Sequence, residues 1–307
     1  MRDATTKTTT KEHANFNLGL LFAVIGTALF GLKSIFIKLA FAEGVDAPTL
    51  LSLRMLIAFP LYVLILWWVM RKPSGNIRAI TTKDLFAILV LGFLGYYLAS
   101  LLDFEGLNHI SAQLERLTLF TYPVMVALLS WVIFSEKITK QVWFSLGCTY
   151  LGVSFLYLYE TSTTQQSIAL GTTLVALAAL SFSYYVIFSK RYIQRLGSLF
   201  FTSVAMLSST VFVFIHFFVT HAISDLQVSN TIWLYAFLLG IVSTLLPSFM
   251  ISEAISRIGG TKTSITGSVG PVFTILLAVA VLGEDFGWAQ FVGMILVIVG
   301  VLALNRR

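Results

Sequence analysis

Charge is scarce in this 307-residue sequence: 11% of the residues are Asp, Glu, Lys or Arg, whereas 57% are hydrophobic. Soluble domains usually carry about 25% charged residues, so this composition excludes an ordinary water-soluble fold and indicates a membrane protein. Cysteine is nearly absent, with Cys148 alone. A single cysteine excludes a disulfide within the chain and argues against a cysteine-based metal site.

The apolar residues are gathered into ten long runs. Each run has about 17 to 25 residues, enough to cross a bilayer as an α-helix. The runs are about twice the length of barrel strands and lack strict alternation, so helices are predicted rather than a β-barrel. The predicted fold is all-α and integral to the membrane, with helices at about 18–40, 49–70, 84–105, 112–134, 141–159, 168–190, 198–220, 231–253, 264–283 and 287–304.

The positive charges predict the orientation of the chain. Apart from four cations inside apolar runs, every Lys and Arg lies in a segment on the same side as the N-terminus, and the opposite loops carry none. The positive-inside rule therefore predicts that both termini are cytoplasmic. The polar, Thr-rich residues 1–17 are predicted to be a disordered cytoplasmic tail. The excess of Lys and Arg on the predicted cytoplasmic side also accounts for the net charge of +6, so nucleic-acid binding is not supported.

A repeated pattern divides the chain into two halves. PVMVALLSWVIFSE at 123–136 returns as PVFTILLAVAVLGE at 271–284, an offset of 148 residues. Each half, 18–160 and 168–305, holds five predicted helices, and because five is odd the second half must enter the membrane from the opposite side. Two inverted five-helix repeats are typical of secondary transporters, which expose a site near the bilayer midplane to each side in turn.

The repeated segments resemble a known family, the EamA-type branch of the drug/metabolite transporter superfamily. The likeness consists of Pro, an apolar run, Glu and a Gly-rich helix in each half, with FGLKSIFIKLAF in the first helix, and it spans about residues 18–304. Gly270 departs from the family pattern, which often has Glu before the second proline. The resemblance implies ten helices in a cell membrane, expected to be a bacterial inner membrane. It also implies a cavity lined by helices 1, 3, 4, 6, 8 and 9, with helices 5 and 10 peripheral.

The repeated proline and glutamate each have two interpretations. Pro123 and Pro271 are expected to bend their helices by freeing a carbonyl one turn earlier; alternatively, they lie near helix starts, where proline costs little. Glu136 and Glu284 are expected to be exposed carboxylates at the membrane boundary, with gating as the alternative.

Polar side chains inside the apolar runs form the candidate site, because charge is costly in hydrocarbon and usually faces a cavity. Lys33 lies deeper in helix 1 than Lys38, which can reach water. Lys33 is expected either to bind a substrate carboxylate or to form a structural ion pair, with Tyr185 opposite its ammonium group. The expected substrate-binding residues are Lys33, Tyr96, Ser100, Tyr122 and Tyr185.

Four further charges allow two hypotheses. Asp103 and Glu115 lie at depths similar to Arg54 and Arg116, near the outer side. The four could form an ion-pair cluster that holds helices together, or Asp103 or Glu115 could carry a proton for coupling. The sequence does not choose between these hypotheses.

Motifs for catalysis or cofactor binding are lacking. GGTKT at 259–263 has no Gly directly before its Lys, and neither an HExxH pair nor a G-x-S-x-G elbow occurs. No enzyme activity, cofactor or metal site is therefore expected. The sequence favours a secondary transporter that exports amino acids or related carboxylate-bearing solutes, acting as a monomer or homodimer, with a small-molecule substrate and the lipid bilayer as its partners. An uptake carrier, a drug efflux pump and, less favoured, a channel or membrane scaffold are the alternatives.

Overall fold

The computed structural model describes residues 2–71, 74–135, 139–163, 167–259, 263, 266–267 and 269–303. Over these residues the chain is largely helical and contains no strand, which confirms the predicted all-α membrane fold. Eight apolar helices are long enough to cross a bilayer, and two are shorter. In chain order they are α1 (Arg2–Ala42), α2 (Ala47–Arg71), α3 (Thr82–Leu107), α4 (Ala112–Phe134), α5 (Lys140–Thr163), α6 (Ile168–Leu196), α7 (Ser198–Thr220), α8 (Asn230–Ile258), α9 (Gly270–Leu282) and α10 (Trp288–Ala303).

The start of the chain differs from its prediction as a disordered tail. The backbone of residues 2–17 is helical and continues into the apolar part of α1. No Pro or Gly occurs in residues 2–17, and extending an existing helix costs much less than starting a new one.

The two repeated prolines lie at different kinds of position. In α4 the helical pattern stops at Phe120 and Thr121 and restarts at Tyr122, directly before Pro123. Such a break is the expected effect of proline, which has no N–H to donate to the preceding turn. Pro271 directly follows Gly270, the first residue of α9, and proline is well tolerated near a helix start.

π-helical turns occur at matching places in the two halves. One covers Phe93–Leu98 in α3 and the other covers Leu238–Leu245 in α8. The offset of 148 residues places the first segment on residues 241–246, which overlap the second segment. Insertions of this kind are rare and are often found at functional sites. The space between α3 and α8 is therefore a candidate functional site.

Helices of the first half pack against helices of the second half. The packed pairs include α1 with α8, α3 with α6, α2 with α7, α4 with α9 and α5 with α10. Exchanging the halves converts the first pair into the second and leaves the other three unchanged, so the packing follows the sequence repeat. Small residues allow the closest approaches: a Cβ added to Gly152 in α5 would lie 2.7 Å from the Gly293 carbonyl oxygen in α10.

Candidate functional site

A cavity of about 120 Å³ lies between α1, α3, α4, α6 and α8. Helix α2 also contributes, through Arg54, which the family resemblance did not imply. The lining is mostly apolar and aromatic, with polar groups from both halves of the chain. Its polar and charged members include Thr27, Lys33, Arg54, Tyr96, Ser100, Asp103, Arg116, Tyr122, Tyr185, Thr244, Ser248, Ser252 and Thr263.

The cavity brings together all five side chains expected to bind substrate. Lys33, Tyr96, Ser100, Tyr122 and Tyr185 all line it, and so does Asp103. Their grouping has a simple origin, since a polar side chain in an apolar helix is least costly where it faces other polar groups. Substrate binding by these residues stays a prediction.

Lys33 forms an ion pair inside this cavity. Its Nζ lies 2.5 Å from Oδ2 of Asp103, and both side chains are almost fully buried. The ammonium also lies 5.0 Å from the centre of the Phe30 ring, a favourable cation–π distance. Of the two partners that the sequence allows for Lys33, the structure therefore contains the protein carboxylate.

Glu115 is buried beside this pair and is held differently. Its Oε2 accepts a hydrogen bond of 2.6 Å from the Ser34 hydroxyl, while its Oε1 has no partner among the described residues. Lys33, Asp103 and Arg116 are its charged neighbours. A buried carboxyl group without a direct cation partner is a natural place for a proton to bind and leave.

Arg54 and Arg116 do not form the ion-pair cluster that was one of the two hypotheses. Their relative exposures are 3% and 4%, yet neither guanidinium lies within 4 Å of a carboxylate of the described residues. Each is placed near an aromatic ring instead. Arg54 Cζ is 5.0 Å from the centre of Phe104 and Arg116 Cζ is 6.0 Å from that of Phe30.

An aromatic group forms another part of the lining. The Tyr96 and Tyr185 hydroxyls are 2.9 Å apart and share a hydrogen bond. The predicted position of Tyr185 opposite the Lys33 ammonium stays a prediction. Phe182 stacks on Tyr185 with a centroid distance of 5.5 Å and meets Tyr122 edge-on at 5.3 Å.

The polar residues that α8 contributes to the cavity were not among the predicted site residues. Thr244 and Ser248 line the cavity, and they are the counterparts of Tyr96 and Ser100 at the offset of 148 residues. The offset of 148 residues identifies Thr244 and Ser248 from the sequence, because positions that face the cavity in one repeat are expected to face it in the other. Ser248 also shares a hydrogen bond of 3.0 Å with Tyr62.

The second repeated glutamate is neither free at the membrane boundary nor part of the cavity. The Glu284 carboxylate accepts hydrogen bonds from the backbone N–H groups of Ala112, at 2.7 Å, and Gln113, at 3.2 Å. These N–H groups begin α4, so the carboxylate caps that helix and complements its dipole. Glu136 lies outside the described residues.

Metal binding has no candidate within the part of the chain that the structure describes. No three His, Cys, Asp or Glu side chains are grouped there as metal ligands would be. The cavity instead offers ammonium, guanidinium, carboxylate, hydroxyl and aromatic groups.

Comparisons with known proteins agree with this architecture. The family described as the EamA-like transporter family matches this chain twice, over residues 17–158 and 169–306. The chain is similar to the uncharacterized transporter YcbK of Bacillus subtilis, with 26% identity over 90% of this chain and 88% of the relative. It is also similar to the uncharacterized transporter sll1319 of Synechocystis, with 24% identity over 95% of this chain and 94% of the relative.

A solved crystal structure shows the same fold. It covers 94% of this chain and 96% of its own, with a TM-score of 0.64 and 15% sequence identity. At that identity the likeness concerns the fold alone.

Proposed function

Because this chain belongs to the EamA-like transporter family, we propose that it is a secondary transporter that exports small carboxylate-bearing metabolites, amino acids or related solutes. Membership of the family makes it a membrane transporter. The proposal concerns the substrate, the direction and the mechanism.

The observation that carries the substrate class is the balance of buried charge. Three cations line the cavity, Lys33, Arg54 and Arg116, while two carboxyl groups, Asp103 and Glu115, are buried with them. A buried charge is costly unless it is paired with a charge of opposite sign. Lys33 is paired with Asp103, and Arg54 and Arg116 form no ion pair with a carboxylate of the described residues. Carboxylate groups of a substrate can pair with these two arginines, whereas a cationic drug would add positive charge beside them.

The size of the cavity supports a metabolite rather than a drug. Its volume of about 120 Å³ is below the range of about 300 to 1,000 Å³ that is common for pockets of drug-sized ligands. The aromatic wall formed by Tyr122, Phe182 and Tyr185 can cover the apolar part of such a solute.

Alternating access is the proposed mechanism. The packed helix pairs exchange when the two halves are exchanged, which supports an inverted repeat, and inverted repeats allow one bundle to rock against the other around a central site. We propose a cell-membrane location with both termini cytoplasmic, from the distribution of Lys and Arg.

The test is counterflow in liposomes that contain the purified protein. Vesicles are loaded with unlabelled amino acids or organic acids, and entry of the same labelled solute is followed. We expect saturable exchange of carboxylate solutes and none in protein-free vesicles. Exchange of organic cations without exchange of carboxylates would overturn the substrate class, and unsaturable flux without counterflow would indicate a channel.

A further inference from the structure

Two buried guanidinium groups in the cavity have no acidic partner among the residues that the structure describes. Arg54 comes from α2 and Arg116 from α4, and both line the same space. Of the described carboxylates that are buried nearby, Asp103 is in contact with Lys33 and Glu115 accepts from Ser34. The Nε atoms of both arginines are buried without a hydrogen-bond acceptor among the described residues.

Such an arrangement is costly in an empty protein. A guanidinium carries five N–H donors and keeps its charge, so burial without an anion leaves the charge uncompensated and the Nε donor of each arginine unsatisfied. The aromatic rings near Arg54 and Arg116 compensate only in part, because a cation–π contact contributes about 0.5 to 2 kcal/mol. A ligand that pairs with both groups removes this cost.

A glycine in the second half makes room for the Arg116 head group. A Cβ added to Gly270 would lie 2.9 Å from Nη2 of Arg116, so any larger residue at 270 would meet the guanidinium. A Cβ added to Gly240 would lie 2.9 Å from the Arg54 backbone carbonyl oxygen, so Gly240 allows α8 to pack closely on α2 at the position of Arg54.

We propose that Arg54 and Arg116 bind the two carboxylates of a small dicarboxylate, one arginine to each. The proposal rests on the proposed function and specifies its substrate class. A planar guanidinium matches a carboxylate in a bidentate pair. A solute with one carboxylate leaves one of the two arginines unpaired, so a dicarboxylate is preferred over a monocarboxylate of the same size.

The discriminating ligands are succinate and its monoamide, succinamate. They have the same size and differ by one charge at pH 7. Binding is measured as the ligand-dependent rise in the melting temperature of the purified protein, which reports affinity for the folded state. We expect succinate to bind at least about tenfold more tightly, since a hydrogen-bonded charge pair contributes more than a neutral hydrogen bond.

Arginine variants test the assignment of the site. Arg54→Gln and Arg116→Gln should each reduce the preference for succinate to about twofold or less, while Arg191→Gln, an exposed cation on α6, should keep it. The empty Arg54→Gln and Arg116→Gln proteins should melt at or above the wild-type temperature, because an unpaired buried charge is removed. A structural role predicts a lower melting temperature instead.

Arg54→Lys and Arg116→Lys keep the charge and give the test if a Gln variant does not fold. Both variants should retain the fold. Their preference for succinate over succinamate should fall to about half of the wild-type ratio or less, because an ammonium group cannot form the bidentate pair.

The possible outcomes separate this inference from the proposed function. Equal binding of succinate and succinamate by the wild type, together with counterflow of monocarboxylates, overturns the dicarboxylate site and leaves the carboxylate transporter intact. Full preference for succinate in both Gln variants also overturns it. Absence of binding and counterflow for every carboxylate overturns both.

Discussion

Breaking the Lys33–Asp103 pair from one side should destabilise the protein more than replacing both partners. The relevant variants are Lys33→Met, Asp103→Leu and the double variant that combines them. The two residues are 70 positions apart and join α1 to α3 through a contact of 2.5 Å. Each single change leaves a buried polar or charged group without its partner.

The magnitude follows from the burial of the pair. Removing one member of a buried ion pair costs about 3 to 5 kcal/mol, whereas replacing both with groups of similar volume is often neutral. We therefore expect each single variant to lose about 3 to 5 kcal/mol of unfolding free energy. The double variant should lie within about 1 kcal/mol of the wild type, because no unpaired charge remains.

The assay is a double-mutant cycle by chemical unfolding in detergent micelles. The exposed pair Glu253–Arg257, spaced four residues apart on α8, is the matched control and should give a coupling of about 0.3 to 0.5 kcal/mol. Additive losses in the Lys33 and Asp103 variants would refute the reasoning, since they would mean that the two groups are solvated separately.

Transport by the double variant separates the two roles of Lys33. If Lys33 also meets the substrate, the double variant is stable but inactive. Wild-type exchange of a carboxylate by this variant would remove Lys33 from the binding site.

Four other outcomes are expected. Glu115→Gln should retain exchange but lose accumulation driven by a pH gradient, as measured in liposomes; retained accumulation would exclude Glu115 as the proton carrier. Gly95→Ala should destabilise the protein by about 1 to 3 kcal/mol through overpacking, because its Cβ would lie 2.4 Å from Cγ of Tyr185. Gly147→Ala, with no atom within 4 Å of the added Cβ, should be neutral or stabilising, and equal losses at both glycines would contradict this reasoning. Glu284→Ala should cost about 0.5 to 2 kcal/mol by uncapping α4, whereas Asp285→Ala should cost little; no difference between them would exclude the cap. Reporter fusions to the C-terminus should report a cytoplasmic location, and an external location would reverse the proposed orientation.

The sequence by itself determined the class of the protein, its helices and most of the polar residues that line the cavity. The bilayer is a uniform apolar solvent, so a run of about 20 apolar residues specifies a spanning helix with little influence from the rest of the chain. Polar residues in such runs face inward for the same reason. That is why Lys33, Tyr96 and Ser100 could be assigned to one site from their positions alone.

Only the tertiary structure decided which groups meet. The sequence contained two acids and three cations at similar depths, and their pairing depends on helix tilt, on the π-helical turns of α3 and α8, and on glycine contacts between the halves. The fold joins Lys33 to Asp103, leaves Arg54 and Arg116 facing the cavity, and places Glu284 on the start of α4. These contacts join residues 70 or more positions apart, where the periodicity of a single helix carries no information.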